Sequence, residues 1–146
     1  MVDFVRSARF ADLEVGTFHD MVKLRVDVFV VEQDAPYPEL DGRDDESATV
    51  HWWIERDGDV VSVLRVLDQG AGTVQIGRVV TAADHRGEGL SATLLTAALE
   101  GISGAVVIKA QAHLEEWYRR FGFKRTGPDF LEDGIPHAPM ERLDQT

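Results

Sequence analysis

Apolar residues recur along this chain in two rhythms, and the points where one gives way to the other divide it into elements. Weak alternation over residues 2–10 predicts an opening strand. Over residues 13–31 the spacing turns helical, with Phe18, Met21, Val22, Val28 and Phe29 recurring, and Thr17 and Asp20 have the spacing of a capping box. Residues 50–56 and 60–67 are β-branched, apolar and aromatic, and the intervening Asp57-Gly58 readily takes the positive φ angles of a tight hairpin. A turn at 69–72 and a strand at 73–80 complete an antiparallel meander. Leu90, Leu94, Leu95, Ala98 and Leu99 mark one side of a helix over 90–101, stopped by Gly101 and Gly104. Residues 105–110 read as a short strand buried on both faces, and 113–121 as a second helix ended by Gly122. Pro128, Pro136 and Pro139 punctuate a tail expected to hold one or two short strands. No linker or repeat interrupts this order, which predicts one α+β domain over residues 1–146 built on a mixed sheet.

Residues 32–46 follow neither rhythm. Pro36, Pro38 and Gly42 make them a loop, long enough to suggest a role beyond connection. Glu32, Asp34, Glu39, Asp41, Asp44, Asp45 and Glu46 stand there against Arg43 alone.

That loop holds part of a wider acidic excess. The 146 residues carry 26 acidic and 15 basic side chains, a formal charge of −11, which repels phosphate backbones and argues against nucleic acid as a partner. The chain has no cysteine, which removes disulfides, a thiolate nucleophile and zinc–thiolate sites, and fits a reducing cytoplasmic setting. Asp3, Arg6 and Arg9 interrupt any signal-peptide core, and no apolar run nears the roughly 20 residues that cross a bilayer. The five histidines lack metal-ligand spacing, so no metal is expected.

The chemistry concentrates between residues 79 and 91. A strand ends at Val79-Val80, and the turn Arg86-Gly87-Glu88-Gly89 leads into a helix at Leu90-Ser91. Glycines let main-chain N–H groups approach a ligand, and a helix start adds unpaired donors and partial positive charge. Arg86 adds a full one. A P-loop is excluded because no Gly-Lys-Ser/Thr occurs. Residues 87–92 fit G-x-G-x-x-A, but a dinucleotide site needs an acidic residue about 20 positions later, where Lys109-Ala110-Gln111 stands.

At these residues the chain resembles the GNAT acyltransferase superfamily, whose acyl-CoA signature Gln/Arg-x-x-Gly-x-Gly/Ala is matched by residues 86–91 with Ser91 in the last place. Tyr118-Arg119-Arg120-Phe121-Gly122-Phe123 is similar to a second superfamily block, with Gln111 where Asn is frequent and Leu114 where Ala is usual. Residues 24–33, 36–42, 110–114 and 132–137 resemble the ElaA-like branch. The resemblance implies a central twisted sheet, splayed between strands 73–80 and 105–111 and flanked by helices, with acyl-CoA in the splay.

It also implies roles. Main-chain groups of Val79 and Val80 would pair with the pantetheine arm, and Arg86, Gly87, Glu88, Gly89, Leu90 and Ser91 would hold the pyrophosphate, with Gln111 also at the cofactor. Arg78, Lys109, Arg119, Arg120, Lys124 and Arg125 are further candidates for CoA phosphates. Tyr118 would be the general acid, because a phenol with a reference pKa near 10 protonates a departing thiolate without ionising at neutral pH. Glu32 is the first candidate base, beside His113 and His137. Trp52 and Trp53 alternate on a strand, which puts one in the core and leaves the other for an acceptor groove. The implied reaction is N-acetyl transfer from acetyl-CoA to a primary amine, small or peptidic. The acidic loop would border the acceptor entrance and favour a cationic amine. A homodimer is compatible with the sequence, and the alternative is a non-catalytic acyl-CoA-binding or interaction module on the same fold.

Overall fold

The computed structural model describes residues 3–143. Its first strand, β1 (Asp3–Arg9), is followed by α1 (Val15–Arg25) and the meander β2 (Val50–Arg56), β3 (Asp59–Gly70) and β4 (Thr73–Thr81). Then come α2 (Leu90–Glu100), β5 (Val106–Gln111), α3 (Glu115–Arg119), β6 (Lys124–Arg125), β7 (Phe130–Glu132) and β8 (Ile135–Arg142). The strands form one sheet in the order β1-β2-β3-β4-β5-β8-β6, with β7 also paired to β8. All pairings are antiparallel except β4–β5, so the sheet is mixed as predicted. No helix among the described residues is long and apolar enough to cross a membrane.

The meander follows its turn chemistry. Asp57 and Gly58 have φ of 51° and 88°, the doubly left-handed pair that matches strand twist in a two-residue hairpin. Alternation then sends side chains to two faces. Ile54, Leu64 and Ile76 pack against Leu90, Leu94, Leu95, Ala98 and Leu99, the positions predicted for the inner side of α2. Trp53, Val63 and Val80 pack on the opposite face against Met21, Leu24 and Val28. Trp52 lies against the α2-side cluster, so both tryptophans serve packing and neither lines a groove.

Several elements differ from their predicted form. The described strand starts at Asp3, and Val2 lies outside the described residues. The capping box is not made: Glu14 is the N-cap of α1 and gives no side-chain hydrogen bond. The long first helix changes pitch after Arg25, and Val26–Glu32 is π-helical. The Gln33 N–H bonds the Val28 carbonyl at 3.0 Å and the Ala35 N–H bonds that of Val30 at 3.1 Å, each five residues back. The second helix is shorter than expected, because Ala112–Leu114 form a 3₁₀ turn before it. The tail holds three strands, and β8 spans eight residues despite Pro136 and Pro139, since it pairs along all of β5. β5 is buried only at Val106, Ile108 and Ala110; Lys109 is exposed, because it points to the face of the sheet away from the α2-side cluster.

The parting of β4 and β5 makes the site. Parallel pairing between β4 and β5 is confined to Val74↔Val106 and Gln75↔Val107, beyond which the strands diverge. Gly104 guards the join: a Cβ there would lie 2.1 Å from the Gly72 carbonyl oxygen. Gly104→Ala should therefore cost about 1–3 kcal/mol, as overpacking against rigid backbone does. Urea denaturation checks this, and an unchanged midpoint would mean that the join yields.

Candidate functional site

The divergence opens a cavity of about 1140 Å³. β4 forms one wall and β5 with α3 the other, while the start of α2 and the end of the π-helix close its rim. Val79, Val80, Arg86, Gly87, Gly89, Leu90, Ser91 and Gln111 all line it, as do Tyr118 and Glu32. Glu88 does not, because its side chain turns away to Arg56 (2.5 Å), which in turn holds Asp3 at 2.7 Å, and neither do Arg119, Lys124 and Arg125 among the phosphate candidates.

The glycine turn has an open cradle. Gly87 (φ 83°) and Gly89 (φ 76°) are left-handed, and a Cβ on either would meet nothing within 4 Å. Gly89 caps α2 without a side-chain hydrogen bond, so the first N–H groups of the helix remain available to a ligand. Together with the neighbouring guanidinium of Arg86, these donors suit an anion such as a pyrophosphate. Arg86 is itself held by Glu32, at 2.9 and 3.1 Å to the two carboxylate oxygens, and both side chains are exposed. Ser91 Oγ lies 2.7 Å from Thr81 Oγ1, which lies 3.0 Å from Ser62 Oγ, so three hydroxyls tie α2 to β4 and β3.

Across the cavity, Tyr118 is 7% exposed between Trp117 (ring centroids 4.9 Å) and Phe123 (6.0 Å). Burial pushes its phenol up, so the hydroxyl stays protonated. That hydroxyl has no hydrogen-bond partner among the described residues, which leaves its proton available to a group entering the cavity. Gln111 and Gln33 exchange amide hydrogen bonds at 3.1 and 3.5 Å across the rim. His137 Nδ1 lies 2.7 Å from the Ile135 carbonyl, and since a carbonyl only accepts, Nδ1 carries hydrogen. The neutral ring then has its lone pair on Nε2, in a residue of the cavity wall stacked 5.7 Å from Phe130. His113 also lines the cavity, but is exposed. Of the arginines and lysines considered for phosphate contact, Arg78, Lys109, Arg119 and Arg125 are ion-paired. Arg120 lines the cavity without an ion pair among the described residues.

The acidic loop does not lie free beside the entrance. Arg25 bonds Glu39 at 2.8 Å and Asp44 at 2.8 Å; Arg65 bonds Asp44 at 3.1 Å and Asp41 at 2.5 Å; Arg78 bonds Asp41 at 3.4 Å and Glu39 at 2.5 Å. Three guanidinium groups and three carboxylates thus alternate in a closed ring, and Tyr37 adds its hydroxyl to Glu39. Arg25, Glu39, Asp44 and Arg65 are each at most 4% exposed. The ring has no contiguous pattern in the sequence, although one signal is present: Arg65 and Arg78 each interrupt an apolar run, and a cation drawn into a core needs carboxylates.

Arg78 also occupies an irregular position. Val63 pairs with Val80 while Arg65 pairs with Gly77, so β4 holds one extra residue there, and Arg78 has φ of 55°. A non-glycine residue in that region costs roughly 1–2 kcal/mol, which its surroundings must offset.

The ring sets a pH dependence. Burial alone would raise the Asp41 and Asp44 carboxyls, but hydrogen bonds and charge from Arg65 and Arg25 outweigh it and hold both below the usual range. Burial pushes the adjacent His51 down, with its Nε2 2.9 Å from the Asp44 carbonyl. All three groups bind protons more readily in the unfolded chain. Their contribution is complete above about pH 6.5, the ordinary histidine value. It erodes below that as unfolded His51 protonates, and further below about pH 4 as unfolded carboxylates do. Urea midpoints should fall in that order from pH 8 to 5.5 to 3.5, and a flat profile would contradict the assignment.

A parallel pair of strands that part around a cavity, with a glycine turn and helix start at one lip, is the fold of acyl-CoA N-acyltransferases. A crystal structure described as an acyl-CoA N-acyltransferase from Pseudomonas aeruginosa superposes with a TM-score of 0.92 at 39% identity, over 97% of this chain and 100% of that one. The acetyltransferase (GNAT) domain model matches residues 17–143, and the chain belongs to that family. Among its relatives is Escherichia coli ElaA, whose crystal structure superposes with a TM-score of 0.90 at 32% identity, over 97% and 99% of the two chains. A UPF0039 protein of Mycobacterium tuberculosis is 46% identical over 147 residues, covering 97% of this chain and 94% of that one.

Proposed function

We propose that the protein is an N-acetyltransferase that moves an acetyl group from acetyl-CoA to a primary amine by direct attack on the thioester. The observation that carries this reading is the split between β4 and β5, which brings an open anion cradle and buried Tyr118, whose hydroxyl has no partner among the described residues, to one cavity. Acetyl-CoA would supply the activated acyl group. The turn from Arg86 to Ser91 would hold its pyrophosphate, with Gln111 also at the cofactor, and the main chain of Val79 and Val80 would pair with its pantetheine arm like an added strand. A main-chain N–H at Val80 would polarise the thioester carbonyl, and Tyr118 would deliver a proton to the departing sulfur.

The amine must lose a proton before it attacks. Glu32 and His137 both line the cavity, and Glu32 already gives both carboxylate oxygens to Arg86. His137 has its hydrogen on Nδ1, which supports Nε2 as the acceptor, with Glu32 holding Arg86 at the turn. Comparing Glu32→Gln with His137→Gln separates these roles: loss of the base should lower kcat with CoA affinity retained, whereas loss of the partner of Arg86 should weaken CoA binding.

The acceptor is proposed to be cationic on Asp133, the acid of the cavity lining without an ion pair among the described residues, since Glu32, Asp41 and Glu132 are neutralised by Arg86, Arg65 and Lys109. The absence of cysteine suits a cytoplasmic reaction. Thiol release from acetyl-CoA, followed across polyamines, amino sugars, amino acids and peptides, tests the function. Release that depends on one acceptor class supports it. Tight acetyl-CoA binding with no release to any acceptor would favour a binding module.

A further inference from the structure

We infer that the ring of six charges, four of them buried, is a positioning device for the β4 main chain, acting through Arg78. The inference rests on the acyl-transfer reading for its consequence in catalysis. Its structural part stands on the ring itself.

Arg78 is the one ring member on the strand that opens the cavity, and it is also the residue inserted in the β3–β4 pairing. An inserted residue shifts by one the alternation of main-chain groups between the paired edge and the open edge. Beyond Gln75, the open edge of β4 has no strand beside it among the described residues, so its main-chain groups face the cavity. The conformation of residue 78 therefore decides where the main chain of Val79 and Val80 points.

Nothing local favours that conformation. Arginine has a Cβ, and left-handed φ is unfavourable for it. The compensation comes from outside the strand. Arg78 Nε and Nη2 reach the Glu39 carboxylate and carbonyl at 2.5 and 3.1 Å, Nη2 reaches Asp41 at 3.4 Å, and the guanidinium lies 5.5 Å over the Tyr37 ring. Glu39 and Asp41 are held in turn by Arg25 and Arg65 from α1 and β3. Three separate segments, the acidic loop, α1 and β3, thus fix one side chain of β4, and its backbone follows. At the other end of the open edge, the Thr81–Ser91 bond pins β4 to α2. Val79 and Val80 are suspended between two fixed points, which is what a preorganised hydrogen-bonding edge requires.

Arg78→Gly tests this most directly, because glycine adopts the same φ without strain yet cannot join the ring. Asp41→Asn leaves Arg78 in place and weakens one link. Two readouts are needed. Backbone ¹⁵N order parameters of Val79 and Val80, measured without ligand, should be near 0.85 in the parent and drop toward about 0.6 in Arg78→Gly, less in Asp41→Asn. Unchanged values in both variants would overturn the inference, whether or not the protein is an enzyme. With an active acceptor in hand, Arg78→Gly should lower kcat about tenfold or more and weaken CoA binding, with the amine KM within about twofold, when assayed well below its thermal midpoint, which itself falls because three carboxylates then face two guanidinium groups. Loss confined to the amine KM would make Arg78 an acceptor contact, and loss that merely tracks a fall in Tm would make the ring a staple. Either result would overturn positioning. Failure of thiol release in the parent would remove the catalytic reading and leave the order parameters to decide the structural one.

Discussion

Replacing Arg25 with methionine is expected to remove about 3–5 kcal/mol of folding stability, a large share of the roughly 5–15 kcal/mol that a domain possesses. Arg25 is 1% exposed and donates to both oxygens of Asp44 (2.8 and 3.1 Å), to the Glu39 carboxylate (2.8 Å) and to the Glu39 carbonyl (3.2 Å). Methionine fills similar volume, so the loss is electrostatic rather than a cavity. Glu39 keeps Arg78 and Asp44 keeps Arg65, but three carboxylates then face two guanidinium groups in a nearly dry setting. An uncompensated buried charge costs more than an intact pair contributes, which is why breaking the ring is severe even though its net value when whole is modest. Urea denaturation followed by circular dichroism measures the loss, and Arg25→Lys, which restores the charge without the fork, should fall between the two. A loss below about 1 kcal/mol would mean that water relaxes into the ring.

How the ring escaped notice shows where sequence reading stops. The inner positions of α2 were legible because five apolar residues at helical spacing lie within ten positions, and the Asp57-Gly58 turn because its geometry belongs to two neighbours. The glycine turn was legible for the same reason: Gly87, Gly89 and the start of α2 are contiguous. The split of β4 from β5 was expected through resemblance alone, since no local pattern states where two strands stop pairing. The ring is different in kind. Its members come from α1, the acidic loop, β3 and β4, and Arg25 and Arg78 stand 53 positions apart. Read along the chain, Glu39, Asp41 and Asp44 look like a solvated acidic stretch. Only the folded arrangement pairs them with three isolated arginines. The same limit explains Trp52 and Trp53, where alternation separated the two side chains correctly but could not reveal that both faces of the sheet are covered. The π-helical turn before Gln33 has no sequence signature that apolar spacing could supply, yet it delivers Glu32 and Gln33 to the cavity rim.

Tyr118→Phe is expected to lower turnover at least about tenfold, near 1.4 kcal/mol in the barrier, while CoA affinity and folding stability stay close to the parent values. The three parts of that expectation have separate causes. The ring of Tyr118 packs between Trp117 and Phe123, and phenylalanine preserves those contacts, so the wall of the cavity keeps its shape. The hydroxyl has no partner among the described residues, so its removal strands no donor or acceptor in the interior. What is lost is a proton beside the place where a thiolate would depart. Burial raises the phenol above its ordinary value, so the group remains a proton donor throughout the neutral and mildly alkaline range. Ionisation of Tyr118 should therefore not produce a fall in rate between about pH 7 and 10, where an exposed phenol near 10 would begin to lose its proton. Steady-state rates of the two proteins across that range, with calorimetric CoA binding on each, make the test. Unchanged turnover in Tyr118→Phe would reduce Tyr118 to packing and move proton delivery to water or to the acceptor itself. A parallel loss of CoA affinity would instead place the hydroxyl on the bound cofactor before any chemistry begins.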